Sequence, residues 1–283
     1  MVDRPDAEGQ VSIDRADDEF IEADEALDRG DGAAAASLID RRVERRALGG
    51  SNATNSEPHP GFDPFAIKLA AAEDLLRHER RERLVVLDRT GRVTLYLRGN
   101  ASQVALPIDR DGRTDTSILN QLENAQCLTH NHPIDAGRPI GGTMSLSDIL
   151  LAQRFEVRQL RVAAPEATYS LQPKVDMKWD ASWATSTKRA YRQHQASLDR
   201  AMAAAAGTPD RDIYFYLRVF DFLMVQLAKG LGLTYERIDR PRDEWAMAVP
   251  GAPVAIGKPG SPIVIDDSEH FEWVSSFFDI RDL

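Results

Sequence analysis

Two histidines, placed two residues apart, are the feature of this chain that most clearly could do chemistry. They are His130 and His132 in the run Thr129–Pro133, and the 283 residues contain only six histidines. Side chains at positions i and i+2 of a strand point to the same face, so a strand continuing through this run would project both imidazoles together. Asp148 follows at the start of a predicted helix and offers a carboxylate. Two histidines, one carboxylate and one open position are typical of a catalytic zinc site.

The residues around this pair resemble a known family. His-x-His-Pro followed by Ser-x-x-Asp is similar to the motif of the JAMM/MPN zinc metallopeptidases and their RadC-like relatives, and nearest to the JAMM-like domain of phage head-morphogenesis and polymorphic-toxin proteins. The resemblance covers roughly residues 78–175. Thirteen positions separate His132 from Ser145, more than the family usually has, so we expect a longer loop at Ile134–Thr143. The matching segments are Thr129–Pro133, Gly141-Gly142, Ser145–Ile149, Arg161-Val162 and Tyr169–Leu171.

The resemblance implies a role for each residue of the motif. His130, His132 and Asp148 would bind zinc, and Ser145 would help to stabilise the oxyanion. A glutamate upstream of the histidines would activate the water bound to the metal. We therefore expect a zinc-dependent metallopeptidase or isopeptidase, which would use metal-activated water to hydrolyse an amide bond in a protein or peptide substrate.

The general base is predicted among the glutamates that precede the first predicted strand. Zinc lowers the pKa of its water to roughly 7, and a carboxylate then takes the proton. Glu82 comes just before the buried run Leu84–Leu87, where the family has its glutamate, so it is the favoured residue. Glu79 is the alternative. Both lie in an arginine-rich segment, where a glutamate could also be a solvated surface charge.

Other interpretations of the same residues stay open. Ser145 and Asp148 also fit a capping box, in which the serine caps a helix and the acidic residue bonds back. A second hypothesis is a non-catalytic JAMM-like scaffold or interaction module in phage head assembly or a toxin system. The letters His-Asn-His suggest a nuclease, but Pro133 and a glycine-rich loop follow them and the chain is acidic. Asn131, which would point away from both histidines, is predicted to be structural.

The composition argues against several classes of protein. Cys127 is the only cysteine, which excludes internal disulfides and the Cys-x-x-Cys pair of a zinc deaminase. The net charge of −10 argues against binding to nucleic acid or to an anionic membrane surface. No signal peptide or membrane-spanning stretch is evident from the sequence. We expect a cytoplasmic protein, and the resemblance would allow association with a phage or virion.

Most of the negative charge lies in residues 1–62, which we call the acidic N-terminal arm. Residues 1–60 hold 15 Asp or Glu and 7 Lys or Arg, a net charge of 7 − 15 = −8. Ala33–Arg46 could form a short helix, but the arm has little apolar surface to bury. We therefore predict that the arm and its linker are disordered. The alternative is a segment that folds on a protein partner.

The rest of the chain is predicted to form a JAMM-like α/β domain and a helical extension. Strands and helices alternate in residues 63–175, which predicts a mixed sheet flanked by helices; the resemblance implies the cytidine-deaminase-like architecture. Residues 176–283 are predicted to be mainly helical and to pack on that domain. The predicted strands are Leu84–Leu87, Val93–Leu97, Gln103–Pro107, Ala125–Thr129, Leu160–Ala163, Ala167–Leu171 and Ile263–Ile265, and the predicted C-terminal helices are Lys174–Ala206, Asp210–Leu231 and Ser268–Ile280.

Overall fold

Helices and strands alternate along the chain, so the fold is mixed α/β, as the sequence predicts. The structure, a computed structural model, describes residues 20–49, 63–77, 79–100, 103–108, 111, 113–133, 142–174, 177–179, 184–204, 221, 224–240 and 262–263. The chain divides into two units, Met1–Pro133 and Ile134–Leu283. This division falls inside the span 63–175 that the sequence assigns to one domain. Within the described residues, no helix is long and apolar enough to cross a membrane.

Three antiparallel strands form the sheet of the first unit, with the first strand between the other two. The strands are β1 (Arg83–Leu87), β2 (Val93–Arg98) and β3 (Cys127–Asn131), and the helices are α1 (Ile21–Asp28), α2 (Gly32–Gly49), α3 (Pro64–Leu76) and α4 (Thr116–Glu123). The predicted hairpin of β1 and β2 is confirmed. Its turn is fixed by Asp88, whose Oδ1 accepts hydrogen bonds from the backbone N–H groups of Thr90 and Arg92.

The second unit also contains an antiparallel arrangement of strands. Its strands pair in chain order and are β4 (Gln159–Ala163), β5 (Ala167–Pro173), β6 (Leu233–Asp239) and β7 (Pro262–Ile263), and its helices are α5 (Leu146–Arg154) and α6 (Ala184–Ala204). The predicted strands β4 and β5 are confirmed. The long strand β6 is a correction, because the sequence predicts a mainly helical extension. The predicted helix Ser268–Ile280 lies outside the described residues.

Residues 20–49 form two helices that each bury one apolar face, so the predicted disorder is wrong for this part of the acidic N-terminal arm. Helices α1 and α2 share one apolar core with α3 and the sheet. The physical reason is that each helix buries two alanines together with larger apolar side chains, which removes enough apolar surface from water to order the segment. The remainder of the arm, residues 1–19 and 50–62, lies outside the described residues. The core side chains of the two helices are Phe20, Ala23, Ala26, Ala35, Ala36, Ile39 and Val43.

A substitution within α2 tests whether this helix belongs to the core. Ile39 is fully buried, whereas Leu48 in the same helix is 68 % exposed. We expect Ile39→Ala to lower the free energy of unfolding by about 2–5 kcal/mol, because it removes buried apolar contacts and leaves a cavity. Leu48→Ala, the matched control, should change it by less than about 0.5 kcal/mol. Urea denaturation measures both, and equal small effects would mean that α2 does not contribute to the core.

One predicted strand of the first unit is absent. Residues 103–107 form no strand, and among the described residues next to them Ile108 makes an isolated bridge with Thr114. Pro107 lacks the N–H that a ladder needs. The helix predicted at Thr116–Gln126 is present as α4 but ends earlier, at Glu123. Asp115 caps its start by accepting a hydrogen bond from the Ser117 N–H at 2.7 Å.

Candidate metal centre

The two histidines lie together at the end of β3. The strand ends at Asn131, so His130 is its last residue but one and His132 follows it directly. Their Nε2 atoms are 3.1 Å apart, and their ring centroids are 4.8 Å apart. The predicted projection of both imidazoles to one side is therefore confirmed. His130 is buried and His132 is half-buried, so the pair lies partly shielded from water.

Ser145 and Asp148 form the start of α5. The Ser145 Oγ accepts a hydrogen bond from the Asp148 N–H at 3.3 Å, and the Asp148 Oδ2 accepts one from the Ser145 N–H at 2.7 Å. The capping box considered for these residues is thus present. A carboxylate has two acceptor oxygens, so capping through Oδ2 does not prevent ligation by the same side chain. The Ser145 Oγ also lies 2.8 Å from the Ser147 Oγ.

One atom from each of the three predicted ligands can be chosen so that all lie close together. Ligand atoms of His130, His132 and Asp148 lie within 4.8 Å of one another, so these residues could hold a metal ion. Two ligands of a tetrahedral zinc ion with bonds of about 2.0–2.1 Å lie roughly 3.3 Å apart. The 3.1 Å separation of the two Nε2 atoms is close to that value. Two imidazoles and a carboxylate suit zinc and also several other transition metals.

Glu82 lies on the strand face that carries His130. Its backbone extends the ladder beyond the first residue of β1, because the Glu82 N–H donates to the Asn100 carbonyl and the Gly99 N–H donates to the Glu82 carbonyl, both at 2.7 Å. Leu84 is directly opposite His130 in the register of β1 and β3. Opposed residues share a face, and alternate residues of a strand return to it. Glu82 therefore shares this face, and it is 9 % exposed.

Glu79 is engaged elsewhere. Its Oε2 accepts a hydrogen bond from the Arg83 Nε at 2.7 Å, and both side chains are buried. Arg83 directly follows Glu82, and successive side chains of a strand point to opposite faces, so Arg83 lies on the opposite face of β1. There it also contacts Asp24 and Tyr96. The favoured base, Glu82, and the alternative, Glu79, thus have different surroundings. Both are buried, so neither is a solvated surface charge.

The segment that leads into α5 is anchored by a residue that the sequence analysis missed. Glu166 Oε1 accepts hydrogen bonds from the Gly142 N–H and from the Tyr169 hydroxyl, each at 2.9 Å. Burial raises the pKa of Tyr169 well above its usual value, so its hydroxyl stays protonated and able to donate. Gly142 has a φ of 80°, which favours glycine. Gly142 and Tyr169 carry the resemblance, but no local pattern identifies Glu166.

A second buried network lies beside β6 in the same unit. Arg237 contacts Asp221 and Asp239, and Tyr235 donates a hydrogen bond to the Asp221 Oδ1 at 2.7 Å. Burial raises the pKa of Asp221 to about 6, although the neighbouring Arg237 opposes the shift. These charged side chains satisfy one another inside the unit, so we assign them a structural role.

Comparisons with known proteins give no relative on which a function could be based. No model of a known protein family matches the chain, and neither curated proteins nor solved structures give a match. The function must therefore be argued from the residues of the site. The longer loop predicted at Ile134–Thr143 lies outside the described residues except for its last two positions.

Proposed function

We propose that this protein is a zinc-dependent metallopeptidase or isopeptidase with a JAMM-like domain. The observation that carries the proposal is the proximity of His130, His132 and Asp148, which together offer two imidazoles and a carboxylate. The mixed α/β fold and the position of the two histidines at the end of a buried strand also support it. Zinc at these residues would polarise a scissile carbonyl and lower the pKa of a bound water to about 7.

The protein's own residues would then move the proton and hold the developing charge. Glu82, on the same strand face as His130, would accept the proton of the attacking water and pass it to the leaving amine. Ser145 would donate a hydrogen bond to the oxyanion, a kind of stabilisation that is usually the largest single contribution to such catalysis. Its Oγ accepts a hydrogen bond from the Asp148 N–H and lies 2.8 Å from the Ser147 Oγ. The Ser145 hydroxyl hydrogen can point to an oxyanion when Ser147 is the donor of that pair.

The substrate is proposed only as a class. A metal that activates water beside a general base suits amide hydrolysis in a polypeptide or at an isopeptide branch. A ubiquitin-like tail, a phage structural protein and a toxin polypeptide all satisfy this chemistry. The acidic surface of the chain as a whole, with a net charge of −10, makes a nucleic acid or an anionic membrane a poor partner.

One observation favours a second candidate function. The capping box gives Ser145 and Asp148 a complete structural role at the start of α5 without any metal. A JAMM-like scaffold or interaction module would keep this helix start and need no hydrolysis. Metal content and cleavage separate the two candidates, since the scaffold requires neither.

Zinc content is the experiment that tests the proposed site. We expect about one zinc per chain in the wild type and nearly none in His132→Ala, because a three-ligand site loses most of its affinity with one ligand. His194→Ala, which removes a histidine outside the motif, should keep the metal. Elemental analysis of protein purified without chelators measures all three. A wild type that neither binds added zinc nor cleaves peptides would favour the scaffold.

A further inference from the structure

Asn131 lies between the two histidines, and its side chain is on the opposite face of β3. It is fully buried, as is Thr129, its neighbour on that face. His130 and His132 thus project to one side, and the amide of Asn131 between them is buried on the other side. A buried amide must satisfy both its donors and its acceptor. The hydrogen-bond partners of the Asn131 amide therefore indicate its role in the structure.

The Asn131 side chain makes three hydrogen bonds to the backbone of one short segment. Its Oδ1 accepts a hydrogen bond from the Arg83 N–H at 2.7 Å. Its Nδ2 donates to the carbonyl of Glu79 at 3.1 Å and to the carbonyl of Arg81 at 3.0 Å. These groups flank Glu82 on both sides along the chain, so one side chain holds the backbone on either side of the proposed general base.

The segment needs this support because it is irregular until β1 begins. Residues 79–82 are in neither helix nor strand, yet Glu79 and Glu82 are buried. Buried backbone groups require partners. On the side of β2, Gly99 and Asn100 supply them to Glu82. On the side of β3, Asn131 supplies them through its side chain.

We infer that Asn131 is a positioning residue, which fixes the Glu82 segment in the extended conformation that places this carboxylate on the face of the two histidines. The hydrogen bonds stand by themselves, whereas the role of Glu82 rests on the proposed function. Asparagine suits the position because it combines one acceptor with two donors at the end of a short side chain. Aspartate would lack the donors, and serine has only one.

The test compares Asn131→Ala with Thr129→Val. The Thr129 Oγ1 makes no hydrogen bond within the part of the chain that the structure describes, so Thr129→Val changes the same buried face at almost constant volume. We expect the Arg83 amide to exchange with solvent on the order of tenfold faster in Asn131→Ala, because its acceptor is lost. In Thr129→Val its exchange should stay at the wild-type rate. Both variants should keep their zinc, since the ligands are unchanged.

Kinetics separate positioning from a merely structural role. On a fluorogenic peptide that the wild type cleaves, Asn131→Ala should lower kcat on the order of 100-fold, the cost of misplacing a catalytic group by about 1 Å. KM should change little. Should Asn131→Ala fail to fold, Asn131→Asp takes its place. It keeps the acceptor for Arg83 and loses both donors, so kcat should fall while the Arg83 amide stays protected.

The outcomes distinguish this inference from the proposed function. If the wild type cleaves no peptide but the Arg83 amide still exchanges faster in Asn131→Ala, Asn131 positions this segment and the proposed hydrolase function is wrong. Unchanged exchange together with unchanged kcat in Asn131→Ala would overturn the inference and leave the hydrolase intact. Failure of both variants to fold would also overturn it, because Asn131 would then serve folding alone.

Discussion

Replacing Glu82 with glutamine should lower the rate of peptide hydrolysis on the order of 10²- to 10⁴-fold, the usual contribution of a general base. Glutamine keeps the shape of glutamate but cannot accept the proton of the attacking water. Glu82 shares a strand face with His130 and is outside the group of three ligands. The zinc content of Glu82→Gln should therefore equal that of the wild type. Initial rates of the zinc-loaded proteins measure the effect.

Glu79→Gln is the matched control, since it makes the same change three residues earlier. We expect it to retain most of the rate and to lose stability, because the Glu79 carboxylate pairs with the buried Arg83 at 2.7 Å. A large loss of rate in Glu79→Gln with little loss in Glu82→Gln would reverse the assignment of the base. Loss of zinc from Glu82→Gln would instead make Glu82 a ligand.

The parts of the fold that the sequence predicts correctly are those decided by local patterns. The apolar runs of β1, β4 and β5 and the alternation of β2 are short-range signals, and each strand lies where it was predicted. Ser145 and Asp148 are only three positions apart, so their capping box is also a local pattern. The His130 and His132 pair is equally local. The three ligand candidates could therefore be predicted from the sequence, before the structure placed them close together.

The role of the acidic N-terminal arm could not be predicted, because it depends on partners far along the chain. A composition rule counts Asp24 as one more solvated acid, but its carboxylate binds Arg83, 59 positions away. The same rule gives alanines little weight, although several of them fill the core between α1, α2 and α3. Each of these long-range contacts stabilises the folded helices, and none of them can be predicted from a short stretch of sequence.

Strand β6 was missed for a related reason. Its sequence includes charged residues that suggest exposure, but Arg237 is buried in contact with Asp221 and Asp239. Once charges satisfy one another inside a protein, a strand no longer shows a simple apolar alternation. Glu166 and Asn131 were underestimated in the same way, since each acts through backbone groups that only the folded chain brings to it.

Arg83→Met should lower the free energy of unfolding by about 3–5 kcal/mol, the cost of removing one partner from a buried ion pair. The Arg83 NH1 donates to both carboxylate oxygens of Asp24, at 2.8 and 2.9 Å, and the guanidinium lies 4.1 Å above the ring of Phe20. Burial lowers the pKa of Arg83, but Tyr96, Glu79 and Asp24 raise it and the net direction is upward, so the guanidinium stays charged. Urea denaturation measures the loss.

The size of this effect follows from what Arg83→Met leaves behind rather than from what it removes. Methionine fills much of the volume, but the buried carboxylate of Glu79 would lose the Arg83 guanidinium, whereas the half-buried Asp24 would keep Arg98 at 3.7 Å. Adding Glu79→Gln to Arg83→Met should therefore recover part of the lost stability, a coupling that a double-mutant cycle of these two positions isolates. Arg89→Met, at an exposed position of the β1–β2 turn, should change the free energy of unfolding by less than about 0.5 kcal/mol. If Arg83→Met behaved like this control, the arginine would not be what joins α1 to the sheet, and the apolar core of α1 and α2 would have to hold these helices alone.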